Sequence, residues 1–273
     1  MDKNQQATTL PDLAPPSYDN YRLDSEEFNA PSQISSQPKG STIKFPPKLI
    51  FNVRWLSTTS FLGPTKDEPL FAVRTPNKLT HCMGRGQILL RDGLDKLSPA
   101  IASVGPEKGS FLTRSLIRVA PKPCATNQEH VEISMSGDWT RRHEFSLRLD
   151  SGKTERFEWR NSRGDEVRNL SGGYSFGWKL VRLDSTPVIP GSPGTSWGYT
   201  SDGKEVVAVG AHPRFFHKSP EFTFLGAGAC GDLGETFEIV AVMGFLRLYE
   251  LAVQYSSINT SVVASSTSVL VIA

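Results

Sequence analysis

The segment from residue 237 to residue 255, FEIVAVMGFLRLYELAVQY, constrains the fold of this chain more than any other. Its charged residues are Glu238, Arg247 and Glu250, and between the first two of them no side chain is polar. At about 100° per residue, Arg247, Glu250 and Gln254 form one narrow polar stripe in the second half of the segment. The first half is apolar on every side, so other parts of the protein must surround it.

This segment is long enough for a helix and too long for an ordinary strand. Asp232 stands three residues before Glu235, as in a helix-capping pair, and Thr236 is a second candidate cap. We therefore predict a helix over residues 237–255 that is buried in the protein. Its uninterrupted apolar run is too short to cross a bilayer.

Composition and charge favour one folded domain in a reducing compartment. Of the 273 residues, 38% are hydrophobic, which is enough for a sizeable core, and the net charge is only +2. Such a balance gives no overall attraction to nucleic acid or to an anionic membrane. The three cysteines form no CxxC pair, and the N-terminus lacks an apolar signal segment. We expect a cytoplasmic monomer that binds no nucleic acid, with any membrane association peripheral.

Residues 1–45 form a separate region that is rich in Pro, Ser, Gln and Asn, and we predict that this arm is disordered. It contains the PPxY sequence Pro15-Pro16-Ser17-Tyr18. The prolines preset a polyproline II conformation and Tyr18 supplies an aromatic anchor. This pattern predicts binding to a WW-domain protein such as a ubiquitin ligase adaptor. The alternative is that the arm only keeps the folded domain soluble.

From residue 46 to residue 255, short runs of β-branched and aromatic residues are separated by Gly, Pro, Asn and Asp, as in antiparallel sheets. In the hairpin around Gly152, Leu147 and Phe157 belong to an apolar alternation, so one face is core and the charged face is solvent-exposed. No segment before Asp232 has a helical period. The predicted strands cover residues 49–55, 69–75, 87–91, 100–104, 112–119, 130–134, 144–150, 155–160, 174–183, 205–211 and 221–225.

Strands followed by one helix that is apolar on all sides pack most economically with the helix inside a closed barrel. Closure also removes the exposed edges that an open sheet would have to protect. We therefore predict a mainly β fold, a closed antiparallel β-barrel of about 11–12 strands around a central hydrophobic C-terminal α-helix. For residues 256–273, which are rich in Ser and Thr, a further strand and a loose tail both remain open.

This pattern resembles the tubby C-terminal-like fold, which tubby, the phospholipid scramblases and the LURP-one-related proteins share. The resemblance covers roughly residues 48–255 and rests on LIFNVRWLSTTSFLG, EPLFAVRTPN, HEFSLRLDSGKTERFEWR, YSFGWKLVRL and GETFEIVAVMGFLRLYEL. A PPxY arm before such a domain is similar to fungal members. The resemblance implies a mostly non-enzymatic protein, with phosphoinositide or membrane binding in tubby itself. The Ser/Thr-rich tail departs from the usual ending, and no motif transfers the lipid site residue by residue.

Ser175 lies in a Gly-x-Ser-x-Gly sequence, and Asp184 and either His212 or His217 follow in the order of a serine hydrolase triad. A nucleophile elbow needs a helix after the serine, whereas strand-like residues follow Ser175. A second match, around Ser196, lies in a Pro/Gly-rich segment. We predict a protein that is not an enzyme and keep a hydrolase that uses Ser175 as the alternative.

Residues 226–231, GAGACG, match the GxGxxG pattern of dinucleotide-binding folds, but no βαβ units surround them. We interpret these small residues as a turn into the barrel, with Cys230 as a small buried filler. The histidines lack the spacing of metal ligands. The sequence predicts no cofactor and no metal site.

The charged hairpin region is the candidate for a lipid site, and most of its cations are expected to pair with its acids across the strands. An anionic phospholipid such as a phosphoinositide needs Arg and Lys side chains that escape pairing and converge on one face. The candidates are Arg141, Arg142, Arg148, Lys153, Arg156 and Arg160. Arg163 and Arg168, further along the chain, add to the cations of this region but are not among the candidates. We predict a binding module for a membrane surface or, as the alternative, a purely protein-interaction adaptor.

Overall fold

The computed structural model describes residues 44–54, 57–76, 86–110, 113–121, 130–138, 142–171, 175–188, 198–213 and 219–268. Within these residues the chain forms twelve strands and three helices. The strands are β1 (Lys48–Asn52), β2 (Thr59–Gly63), β3 (Phe71–Arg74), β4 (Ile88–Arg91), β5 (Ala100–Pro106), β6 (Arg114–Val119), β7 (Val131–Asp138), β8 (Arg142–Arg148), β9 (Thr154–Ser162), β10 (Ser175–Arg182), β11 (Glu205–Pro213) and β12 (Glu221–Phe224). The helices are α1 (Asp165–Ser171), α2 (Gly226–Ala229) and α3 (Gly234–Ser268).

The strands form one closed barrel in which each strand is antiparallel to its neighbours. Strands that are adjacent in the barrel are also adjacent in the chain, and β1 closes the ring on β12 with Leu49 opposite Phe222. Alternate residues point into the barrel, as the burial pattern of β8 shows. The prediction of a mainly β fold, a closed antiparallel barrel with a hydrophobic C-terminal helix, is confirmed.

α3 runs through the barrel and forms the centre of the core. Residues on all sides of it are fully buried, namely Phe237, Val240, Ala241, Met243 and Phe245. The ring centroid of Phe245 lies 5.4 Å from that of Phe222 and 6.3 Å from that of Trp178. The apolar circumference of the helix is therefore matched by inward-facing aromatic residues of the strands.

Two glycines let α3 approach the barrel wall closely. A Cβ atom at Gly210 in β11 would lie 2.2 Å from the Phe245 ring. A Cβ atom at Gly244 in α3 would lie 2.7 Å from Nε1 of Trp159. Because both distances are far below van der Waals contact, any larger residue at either position would displace the helix or the ring.

We call the end of the barrel at which α3 begins the proximal end and the opposite end the distal end. At the proximal end, Oε2 of Glu238 accepts hydrogen bonds from the backbone N–H groups of Lys44, at 2.7 Å, and Phe45, at 3.2 Å. The loops that join β2 to β3, β4 to β5, β8 to β9 and β10 to β11 also lie at this end. At the distal end, the Tyr249 ring packs 5.7 Å from the ring of Phe51, near the end of β1.

α3 is longer than the sequence predicted. It continues beyond residue 255 to Ser268, so residues 256–268 extend the helix and form neither a separate strand nor a loose tail. No Gly or Pro occurs after Gly244 to stop the helix. Since helix-breaking residues are absent there, the low helical propensity of Ser and Thr does not end the helix.

The prediction that no helix precedes Asp232 is wrong, because α1 and α2 both do. α1 has seven residues, too few to show a helical period. Its Val167 packs with Val206 and Val209 in a small second core on the outside of the barrel. The eleven predicted strands each overlap an observed strand, and β2 is an additional one.

Candidate functional site

The outer face of the β8–β9 hairpin carries the charged residues that the sequence identified. The register places Arg142 opposite Arg160, Glu144 opposite Glu158, Ser146 opposite Arg156, and Arg148 opposite Thr154. In two of these four pairs like charges face each other directly, while opposite charges lie on the diagonals within reach of long side chains. The result is a surface of mixed charge.

Glu158 lies at the centre of this face, and its side chain is only 8% exposed. Its carboxylate accepts a hydrogen bond from Nε of Arg160 at 3.0 Å and forms an ion pair with Nε of Arg142 at 3.4 Å. Nη1 of Arg160 also reaches Asp202, at 2.9 Å. The prediction that the charged side of the hairpin is all solvent-exposed is wrong at Glu158, because long arginine side chains lie against it.

Arg156 is paired on the same face. Its Nη2 and Nε donate to Oδ1 of Asp184 at 3.0 and 3.3 Å, and its backbone N–H donates to Oδ2 at 2.8 Å. These bonds, that of the guanidinium foremost, hold the pKa of Asp184 below its usual value. Asp184 therefore serves as an ion-pair partner of the hairpin.

Glu155 is a second buried carboxylate, at the proximal end of the barrel. Its Oε1 accepts from Nη2 of Arg182 at 2.7 Å and from Nζ of Lys153 at 2.9 Å. The hydrogen bond to Arg182 is the main cause that lowers the pKa of Glu155, against the opposing effect of burial. Arg182 also pairs with Glu205, which accepts the backbone N–H of Ala227 at 2.8 Å. This network ties β9, β10, β11 and α2 together.

The six predicted lipid-binding residues differ in their pairing. Four of them form ion pairs, namely Arg142, Lys153, Arg156 and Arg160. Arg148 is exposed at the proximal end, and no carboxylate of the described residues pairs with it. Arg141 lies outside the described residues. Most of these cations are paired, as predicted, but the pairing across β8 and β9 is shown for Arg142 and Glu158. Lys153 and Arg160 bind acids two residues away in the chain, and Arg156 binds Asp184 outside the hairpin. The structure does not bring several unpaired cations together in the described part of the hairpin.

A polar group lies inside the barrel on α3. Nη1 of Arg247 binds Oε2 of Glu250 at 2.6 Å, and the two side chains are 1% and 5% exposed. Nε of Arg247 donates to Oγ of Ser115 in β6, at 3.0 Å. Gln254 is buried as well. The polar stripe of the helix is thus internal, and the sequence did not reveal Ser115 as its partner because the two residues are 132 positions apart.

Tyr249 belongs to the same region of α3. Burial raises its pKa to about 12. Its ring centroid lies 5.1 Å from that of His212. Burial thus favours the neutral hydroxyl, and the ring packs in the core between His212 and Phe51.

The residues of the hydrolase alternative do not assemble. Ser175 is the first residue of β10 and lies opposite Pro213, so a strand and not a helix follows it. His212 is in register with Phe176, next to Ser175. Asp184 lies past the other end of β10, roughly 20 Å or more along the strand. His217 and Ser196 lie outside the described residues.

Residues 226–231 form α2 and the turn that follows it. A Cβ atom at Gly228 would lie 2.2 Å from the carbonyl oxygen of Val207, so this position requires a glycine. This contact agrees with our interpretation that the small residues of this segment allow the chain to turn into the barrel. Cys230 is exposed, and the prediction of a buried filler is wrong, because it caps the C-terminus of α2 at the surface.

The predicted WW ligand, Pro15, Pro16 and Tyr18, lies outside the described residues. Within the described ranges, no three His, Cys, Asp or Glu residues are grouped so that they could hold a metal ion. In the same part of the chain, no helix has the length and hydropathy needed to cross a membrane. Comparisons with protein-family models, with curated proteins and with solved structures found no match.

Proposed function

We propose that this protein is a non-enzymatic binding module that uses the outside of its barrel. The observation that carries the proposal is the filled interior: from Phe237 to Leu251, α3 occupies the space in which a barrel could hold a small ligand. The carboxylates Glu155 and Asp184 are tied to arginines, which argues against acid–base roles. A ligand therefore meets the outer wall or the loops at the two ends.

For the barrel, we propose a membrane surface as the ligand, with anionic phospholipids such as phosphoinositides as the specific form. Support comes from cations that keep part of their hydrogen-bonding capacity. The side chains of Arg142, Arg156 and Lys153 are 73%, 59% and 61% exposed. The Arg156–Asp184 pair is exposed on both sides and so contributes little, which lets a phosphate group compete for Arg156. Arg142 and Lys153 pair with the buried carboxylates Glu158 and Glu155 and would meet a phosphate with the donors that those pairs leave exposed. Arg148 needs no such competition.

Full-length protein is expected to sediment with vesicles that contain phosphatidylserine or a phosphoinositide, and to be released by salt. Arg148→Glu should weaken this binding about tenfold or more, because each cation near an anionic surface contributes about 1 kcal/mol and the variant reverses one. Arg168→Glu is the matched control, since it makes the same charge change on α1. Equal binding of both variants would reject Arg148 as a contact, and no binding to any vesicle would favour a protein adaptor.

For the arm, we propose that Pro15, Pro16 and Tyr18 recruit a WW-domain protein, such as a ubiquitin ligase adaptor, to the ligand of the barrel. A preformed polyproline II segment loses little entropy on docking, so a short contact suffices for modest affinity. The arm would then bring an enzyme to a membrane surface that the barrel recognises. The alternative remains that the arm only maintains solubility.

Titration of a peptide of residues 13–23 into a panel of WW domains is expected to give measurable heats for at least one of them. Tyr18→Ala should lower that affinity roughly 30-fold, because a buried aromatic anchor carries much of the energy of a small interface. The full-length protein with the same substitution tests whether the barrel changes the result. Negligible heats for both peptides across the panel would reject the adaptor role and leave the barrel unaffected.

We also infer that the chain belongs to the tubby C-terminal-like group. The support is architectural, since a closed barrel around a buried C-terminal helix is what the sequence resemblance implies. The five sequence segments that carry the resemblance contain all or nearly all of the strands β1, β2, β3, β8, β9 and β10 and most of the buried part of α3.

A further inference from the structure

The segment that leads into β1 is fastened to the barrel by few contacts. Residues 44–46, which we call the strap, precede Pro47 and lie outside the strands. The carbonyl of Pro47 accepts the backbone N–H of Phe224 in β12 at 2.9 Å, so the sheet holds the chain up to this proline. In the described part of the chain, no backbone–backbone hydrogen bond holds the strap itself. The strap therefore depends on side chains for its position.

Two side chains of the strap attach it to the proximal end of the barrel. The Phe45 ring is 1% exposed, and its centroid lies 4.9 Å from that of Phe71 in β3. Nζ of Lys44 forms an ion pair with Asp92, at the start of the β4–β5 loop, at 2.8 Å. Phe45 thus covers the core at this end, and its departure would uncover Phe71.

The third attachment is Glu238 of α3, whose Oε2 accepts the backbone N–H groups of Lys44 and Phe45. Glu238 is 2% exposed, and no Lys or Arg side chain of the described residues pairs with it. A buried carboxylate whose partners are neutral is costly in its charged form. Burial foremost, together with the charge of Glu235, raises the pKa of Glu238, although the two backbone hydrogen bonds lower it.

The charged groups of the elements around Glu238 do not compensate its charge. Lys44 of the strap is paired with Asp92, and Lys48 of β1 is paired with Glu221 of β12 at 2.7 Å. Near the start of α3 the neighbouring charged groups are two acids, Glu235 and Asp150. Ionised Glu238 would therefore gain by reaching water, and the strap is the part of the fold that separates it from water.

We propose that the strap closes the proximal end of the barrel and opens when Glu238 takes on its negative charge. In the closed state the carboxyl group is buried against the strap, and in the open state it meets water while Phe45 leaves the core. Because the closed state favours the protonated carboxyl group, the strap is held most firmly below the ordinary pKa of a glutamate, about 4.3. Its hold weakens as the pH rises through the raised pKa of Glu238.

Hydrogen exchange in the full-length protein, followed by NMR at the amides of Lys44 and Phe45, tests this proposal, because protection factors remove the intrinsic pH dependence of exchange. Protection of both amides should be several-fold lower at about pH 8 than at about pH 4.5, while the amides of β10 and β11 stay protected at both. Glu238→Gln keeps an oxygen acceptor but carries no charge. This variant should hold the strap equally well at both pH values.

Asp92→Asn is the matched control. It removes a carboxylate that also binds the strap, through Lys44, but one that is 44% exposed, so it should lower protection by a similar factor at both pH values. Equal protection of the wild type at the two pH values, or a pH response that survives Glu238→Gln, would overturn the proposal. So would strap amides that exchange only together with those of β10 and β11, since the strap would then open only when the barrel unfolds. Circular dichroism at both pH values verifies that each variant is folded.

Discussion

Val242→Asp is expected to abolish the folded barrel. Val242 is 1% exposed in the middle of α3, within the main core. The new carboxylate would lie among the apolar side chains of the core. Burial of an uncompensated charge costs roughly 5 kcal/mol or more, which is comparable to the whole stability of many domains, about 5–15 kcal/mol. The variant should lose its cooperative thermal transition, as measured by circular dichroism.

Val131→Asp is the matched control for this experiment. It makes the same chemical change at a position that is 42% exposed, and should alter the free energy of unfolding by about 0.5 kcal/mol at most. If Val242→Asp instead melts within a few degrees of the parent, α3 does not form the core.

Arg247→Met is expected to destabilise the barrel by about 3–5 kcal/mol. The substitution keeps most of the side-chain volume but removes the cation that binds Glu250 at 2.6 Å inside the protein. Glu250 would then be a buried carboxylate that has lost its bond to the Arg247 guanidinium, and Ser115 would lose its bond to Nε of residue 247. Urea denaturation should show a lower midpoint with an unchanged slope.

Two further variants test that explanation. Arg247→Met/Glu250→Leu should recover much of the lost stability, because well-packed apolar residues often replace a buried ion pair at little cost. Arg168→Met removes the cation of a pair with the same spacing, Arg168 and Asp165, whose side chains are 57% and 79% exposed. It should change stability by less than about 1 kcal/mol. Equal effects of Arg247→Met and Arg168→Met would contradict the burial of the pair on α3.

The period of apolar residues predicted the parts of the fold that depend on local pattern. The alternation around Leu147 and Phe157 predicted the β8–β9 hairpin, and the absence of any polar side between Glu238 and Arg247 predicted a buried helix. Both patterns indicate how much of the side-chain surface around a strand or helix must be buried. They do not report which particular residues cover it, so Gly210 and Gly244, where α3 meets the wall, could not be selected in advance.

Charged residues show where such patterns stop being informative. Glu158 alternates with core residues and so was expected in solvent, but it is buried by arginines from its own strand and from β8. Glu155 occupies an inward position of the same strand, paired with Arg182 of β10. Whether a carboxylate is solvated or buried in an ion pair depends on distant cations, and the sequence contains no local mark of them.

The sequence by itself determined that this chain forms an antiparallel β domain closed around its C-terminal helix, because alternation and an all-round apolar helix leave no other economical way to remove apolar surface from water. Tertiary structure alone decided which side chains share a surface. Leu70, Leu94, Leu97 and Val131 are spread over about sixty positions, and Arg148 is further still, yet strand direction brings all of them to the proximal end. In an up-and-down barrel every second loop lies at the same end, so the alternating direction of the strands, and not distance along the chain, places these residues at one end.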